Sequence, residues 1–293
     1  MSNSNLFQNF ESVSAKAWKQ KIQFELNGKD FNDHLVWRSI EGIDVKPFYH
    51  SETYSKAPSI QHNASDWKIG HSIYVNSIEK SNIHALELIQ NGVESLHFIL
   101  PKEPISVENL LINIDTSNVP IYFEPLFLSE KLIKKFQTFS QKNKTLFYVL
   151  QDPIGHLSRS GNWHNDIKTD LHTLKQTITL GENLKGVISI DLGLFQNAGG
   201  SMVQQLAYSL AYANEYLNLL DGDAIKSVVF KVSVGSNYFF EIAKLQALRI
   251  LWQSLTKDYG VSIDCHILTQ PSRRNKTIYD YNTNLLRTTT ECM

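Results

Sequence analysis

After Trp67, short runs of β-branched, aromatic and aliphatic residues alternate seven times with stretches whose apolar residues recur at helical spacing. The rhythm leaves few folds open, because parallel strands need a crossover long enough to hold a helix. The strand runs are 69–75, 95–100, 120–123, 145–150, 187–192, 227–234 and 262–269. The helical stretches are 79–90, 107–114, 129–141, 167–180, 201–220, 238–259 and 279–293. In the sixth helix, Phe239, Ile242, Ala243, Leu245, Leu248, Leu251, Trp252 and Leu255 define one apolar face, with Glu241, Lys244 and Lys257 left to water. Seven βα units are one short of the eight that close a barrel. The sequence stops within the last helical stretch at Thr290-Glu291-Cys292-Met293, without Gly, Pro or a polar tail. The expected architecture is therefore a (β/α)8 TIM-type barrel over residues 67–293, truncated before its last βα unit. A doubly wound open sheet is the alternative for the same rhythm.

Residues 1–66 do not follow this rhythm and read as an N-terminal arm and linker. Residues 14–26 predict a helix, with Trp18, Ile22 and Leu26 at four-residue spacing and Asn27-Gly28 as the stop signal. Residues 31–49 alternate around Glu41-Gly42 and predict a hairpin, while 51–66, with Pro58 and many polar residues, predict a linker.

The charge balance excludes a nucleic-acid partner: 28 Lys and Arg stand against 29 Asp and Glu, leaving no basic surplus for a phosphate backbone. No uncharged apolar run reaches the roughly 18 residues needed to span a bilayer, and the first ten residues lack signal-peptide order, so no membrane role is expected. Cys265 and Cys292 make neither a disulfide framework nor a metal set, which fits a reducing cytoplasm.

In a βα barrel, chemistry sits at the C-terminal ends of the strands. Those positions hold Asn76, Glu103, Glu124, Asp152, Gln196, Asn197, Ser236, Gln270, Ser272 and Arg273. Glu124 and Asp152 could form an acid-base pair if neighbouring strands brought them together, although Asp152-Pro153-Ile154-Gly155 is itself a turn sequence. His156 and His164, eight apart on a loop with Arg159 and Trp163, have no third ligand, so no metal is expected. Asn197 to Ser201 could offer backbone N–H groups to an anion, but a tight turn capped by Ser201 explains the same residues. Arg273, Arg274 and Lys276 could hold a phosphate or form an ordinary charged loop.

Three segments carry a more specific signal: Asp191-Leu192-Gly193-Leu194-Phe195-Gln196-Asn197-Ala198-Gly199-Gly200 leading into Gln205-Leu206-Ala207-Tyr208, then Phe240 to Leu245 through Leu251-Trp252, and finally Asn284 to Thr289. In this order they resemble the methylmalonyl-CoA mutase family, cobalamin-dependent isomerases built from a (β/α)8 barrel and a flavodoxin-like cobalamin domain. The arm from Trp18 to Tyr49 and the Asp152-Pro153-Ile154-Gly155 turn resemble its small subunit. In the family's catalytic subunit a Thr-Ile-Arg-Gln-Tyr-type motif on the first barrel strand ends in a substrate-touching tyrosine. The matching stretch here is Lys68-Ile69-Gly70-His71-Ser72, with Ser72 at the tyrosine position. The catalytic Tyr-His pair, whose histidine binds the thioester carbonyl, is matched by Gly193-Leu194. Leucine donates no hydrogen bond, so that electrostatic contribution is missing.

The resemblance implies a small, non-catalytic subunit of a heterodimeric mutase that interconverts succinyl-CoA and methylmalonyl-CoA, with a large catalytic subunit as partner and the acyl-CoA bound in the complex. Adenosylcobalamin would belong to the whole complex and none would bind this chain alone, since the Asp-x-His-x-x-Gly signature does not occur. Gln196, Asn197 and Arg273 are the candidate cofactor-contacting residues. The alternative is a cobalamin-dependent acyl-CoA mutase with its own altered active site.

Overall fold

The computed structural model describes residues 10–53, 67–104, 106–220 and 225–292. The chain divides into two compact units, Met1–Ser59 and Ile60–Met293.

In the first unit, helix α1 (Ala15–Glu25) starts where Ser14 Oγ accepts the Ala17 N–H. The hairpin expected over residues 31–49 is largely replaced. Asp30 caps a short helix, α2 (Phe31–Leu35), by accepting the N–H groups of Asn32 and Asp33, and that local bond overrides the weak alternation. Only β1 (Trp37–Arg38) and β2 (Asp44–Val45) pair, around a turn that needs Gly42 at φ +73°. Of the expected linker, Ser51–Thr53 form a 3-10 turn and 54–66 lie outside the described residues.

The second unit is built on one parallel sheet with strands β3 (Gly70–Tyr74), β4 (Ser95–Leu100), β5 (Ile121–Pro125), β6 (Phe147–Gln151), β7 (Gly186–Asp191), β8 (Ser227–Val234) and β9 (Asp264–Pro271), each hydrogen-bonded to the next in chain order. A doubly wound sheet reverses strand order at a switch point, and this one never does, so the barrel reading holds. Curvature is visible in contacts across the sheet. Tyr122 on β5 meets His266 on β9 at 2.7 Å, although four strand steps on a flat sheet would separate them by about 19 Å. The described sheet is thus a curled part-barrel with β3 and β9 as its edges.

The helices are α3 (Ile78–Gln90), α4 (Val107–Leu110), α5 (Glu130–Lys142), α6 (Pro153–Ser160), α7 (Ile167–Leu180), α8 (Leu192–Asn197), α9 (Met202–Leu219), α10 (Tyr238–Asp258) and α11 (Tyr281–Cys292). They cover the sheet face formed by Leu96, Phe98, Phe123, Phe147, Ile188, Ile190 and Phe230, all fully buried. None of the described helices is long and apolar enough to cross a membrane. Two short helices lie outside the predicted helical stretches, α6 over the turn expected at Asp152 to Gly155 and α8 just before the tight turn expected at Asn197 to Ser201, since strand ends that pass directly into a helix leave little periodicity to read.

The polarity of α10 departs from expectation. Leu248 and Trp252 are buried, but so are Glu241 and Lys244, whereas Phe239 and Ile242 are exposed. Glu241 Oε1 accepts the Gly235 N–H at 2.8 Å, Lys244 Nζ donates to the Ser233 carbonyl at 2.8 Å, and the two charges pair at 2.5 Å. Free backbone groups at the end of β8 thus satisfy charges that the helical pattern assigns to water.

At α9, Ser201 Oγ accepts the Gln204 N–H while Gln204 Oε1 accepts the Ser201 N–H, a reciprocal capping box. The Asn197 to Ser201 segment therefore caps its helix. Ser201→Ala is expected to cost about 1 kcal/mol in urea unfolding.

Candidate functional site

Alternation sends every second residue of a barrel strand inward. Tyr122 of β5, Tyr148 of β6 and His266 of β9 form an aromatic layer, with ring centroids 5.0 Å apart for the tyrosines and 4.3 Å for Tyr148 and His266. Burial pulls His266 below the ordinary imidazole range and pushes the Tyr122 phenol up.

Toward the strands' C-terminal ends the interior turns ionic. Ser72 Oγ and His97 Nδ1 share a hydrogen bond of 3.0 Å, and His97 Nε2 lies 2.9 Å from Glu124 Oε2. Lys231 Nζ donates to Glu124 Oε1 at 2.7 Å and pairs with Asp191 Oδ2 at 3.3 Å, where Arg159 Nη2 also arrives at 3.3 Å. The chain of contacts therefore runs from β3 through β4, β5, β8 and β7 to α6. Despite its burial, the hydrogen bond from His97 and the charge of Lys231 hold the Glu124 carboxyl down at about 2. Although burial opposes it, Asp191 and Glu124 hold the Lys231 ammonium above its usual value. Neither Glu124 nor Lys231 can exchange a proton near neutral pH, as a general acid or base must.

The structure separates the two carboxylates considered as a pair. Glu124 belongs to the interior network, while Asp152 caps α6, where its Oδ1 accepts Tyr216 Oη–H at 2.6 Å and the Gly155 N–H at 2.8 Å. Ser72 lies inward on β3. Gly193 and Leu194 lie in the first turn of α8, and a Cβ on Gly193 would stand 2.6 Å from Ser233 Oγ, 2.9 Å from Asp191 Oδ1 and 3.0 Å from Gln270 Nε2. Gln196 is buried and donates to the Ser233 carbonyl at 3.3 Å, whereas Asn197 and Arg273 are exposed. Glu103 lies in a surface cluster with Lys135, at 2.9 Å. Lys276 is paired to Glu291 at 2.6 Å, which removes it from a phosphate-binding trio with Arg273 and Arg274. His156 is helical rather than on a loop, and its ring stacks on that of His164 at 3.7 Å.

Among the described residues no group of three His, Cys, Asp or Glu could hold a metal ion. Sequence reading missed Lys231, His97 and Asp191 as a network. The signal was present: a lone lysine in Ser-Val-Val-Phe-Lys-Val-Ser-Val and a lone histidine in Ser-Leu-His-Phe-Ile-Leu, each a polar break in a buried strand.

The family model for methylmalonyl-CoA mutase matches residues 141–293. The small subunit of that enzyme from Porphyromonas gingivalis is 32% identical over 98% of this chain. The chain belongs to the methylmalonyl-CoA mutase family. The small subunit from Propionibacterium freudenreichii is 23% identical over 97% of the chain, and the large subunit from Streptomyces virginiae 36% identical over 96%. The chain covers 52%, 50% and 46% of these three mutase subunits, about half of each. The small-subunit resemblance read from the sequence is borne out by similarity to small subunits along nearly its whole length.

Mutases of this family use a cobalamin. In the interior of this chain His97 lies between Ser72 Oγ and Glu124 Oε2, and His266 Nε2 meets the Tyr122 hydroxyl.

Proposed function

We propose that this chain is the supporting, non-catalytic subunit of a heterodimeric, cytoplasmic adenosylcobalamin-dependent methylmalonyl-CoA mutase. The acyl-CoA, the cofactor and the interconversion of succinyl-CoA and methylmalonyl-CoA then belong to a large catalytic partner. One observation carries the reading: the charged groups of the barrel interior are engaged with one another. Lys231 pairs with Glu124 and Asp191, Arg159 reaches Asp191, His97 lies against Glu124, and the aromatic layer stacks beneath. A catalytic site leaves polar groups turned toward the reacting atoms. Here Ser72 is turned onto His97, and Leu194 offers no donor.

The test is to co-express the chain with a large mutase subunit, purify the complex, and assay turnover with and without alanine at the histidine of the partner's Tyr-His motif. Copurification with turnover that vanishes in that variant is expected. Failure to associate, or turnover by this chain without the partner, would overturn the reading.

A further inference from the structure

Helix α6 is tethered across the strand ends by polar contacts, not by a broad apolar face. At its N-terminus, Asp152 Oδ1 accepts Tyr216 Oη–H at 2.6 Å and Gly155 N–H at 2.8 Å, and Tyr216 Oη accepts the Ile154 N–H at 3.0 Å. Midway, Ser158 Oγ meets Tyr212 Oη of α9. At its C-terminal end Arg159 reaches Asp191, and His156 stacks on His164 of the following segment. That segment is pinned by buried Asp170, which accepts the His164 and Asn165 N–H groups at 2.8 and 3.2 Å.

One feature of this tethering is unbalanced. Asp152 Oδ2 is buried and has no hydrogen-bond partner. The titratable and charged groups facing the carboxyl are Tyr216 on α9, with Tyr212 beyond it, Asp191 at the end of β7, and Arg159 on α6 itself. Only Arg159 among them is a fixed cation, and it is already paired with Asp191.

We propose that α6 is a latch over the strand ends whose closure is set by the protonation of Asp152, tight in acid and released as the carboxyl ionises. Burial pushes this carboxyl up from 3.8 to about 6, with the Asp191 carboxylate adding to the shift and the Tyr216 hydroxyl opposing it. Protonated, the group sits in its buried site without a charge to solvate. Ionised, it leaves one anionic oxygen unmatched, and opening α6 to water relieves that cost. Opening also draws Arg159 away from Asp191, and so carries the change into the Lys231 network.

If the opened carboxyl titrates at its ordinary value, the opening equilibrium increases by up to about 100-fold as pH rises from about 4 to above 6. Burial holds His164 below the ordinary imidazole range, and its protonation at low pH acts in the opposite direction.

The test is amide hydrogen exchange of the 293-residue chain at several pH values, corrected for intrinsic rates. The reporters are the Ile154, Gly155, His156 and Gly161 amides, with strand amides of β7 as the internal reference. Protection of α6 is expected to fall as pH rises. Asp152→Asn, which keeps the cap acceptor, is expected to flatten that dependence, and Tyr216→Phe, which removes the bond favouring the carboxylate, to move its midpoint to higher pH. Protection of α6 that is independent of pH, or a pH dependence unchanged in both variants, would overturn the latch.

Discussion

Lys231→Met is expected to destabilise the chain by about 3–5 kcal/mol in urea unfolding at neutral pH, among the largest single-residue effects in the barrel. The substitution conserves apolar volume along the lysine stem but removes the ammonium that meets Glu124 at 2.7 Å and Asp191 at 3.3 Å. Both carboxylates are largely buried, and Lys231 itself is 7% exposed. His97 and Arg159 remain, each at the rim of the network, so two anions face one another with little compensation. Acid should reveal the same interaction. Glu124 falls from 4.5 unfolded to about 2 folded, so it contributes stability above pH 4.5 that is lost as pH falls toward 2. In Lys231→Met this acid-labile contribution shrinks, because the charge that helps His97 hold the carboxyl down has gone. A variant as stable as the parent at pH 7, with an unchanged acid limb, would mean that the network contributes nothing.

Restoring the family's Tyr-His pair is expected to damage the protein without creating an enzyme. In Gly193→Tyr with Leu194→His, the first β-carbon alone enters a space bounded by Ser233 Oγ, Asp191 Oδ1 and Gln270 Nε2, all within 3.0 Å. A phenol ring beyond it must displace those side chains, at a cost of about 3 kcal/mol, and disturb Asp191 within the ion network. Ser72 stays bound to His97, so no substrate-facing group is recovered on β3. A shifted thermal midpoint and no mutase turnover, with a cobalamin domain supplied, are expected. Turnover by the grafted chain would instead show that two residues are all that separate it from a catalytic barrel.

The five inner strands, β4 to β8, were legible in the sequence because burial on the helix side and pairing on both edges demand continuous apolar runs, and the edge strands β3 and β9 were legible from the repeat they continue. The barrel interior was not, since it depends on which strands curl toward which. Glu124 reads as a loop acid until the sheet brings Lys231, 107 residues later, to its side. Glu241 and Lys244 misread for a related reason: helical periodicity cannot see free backbone groups supplied by a neighbouring strand end. The departures at Ser72, Gly193 and Leu194 were readable as residue types, whereas the crowding around Gly193 needed coordinates.

The contact between Tyr122 and His266 joins residues 144 positions apart. During synthesis, β5 leaves the ribosome long before β9 exists, and for that interval its inward tyrosine has only neighbouring strands to lie against. A contact of such long range forms late, since its loop must close before it yields anything in return. The emerging half-sheet therefore waits with an exposed polar-aromatic concavity and an unpaired edge, the kind of surface that chaperones hold and that aggregates when they do not.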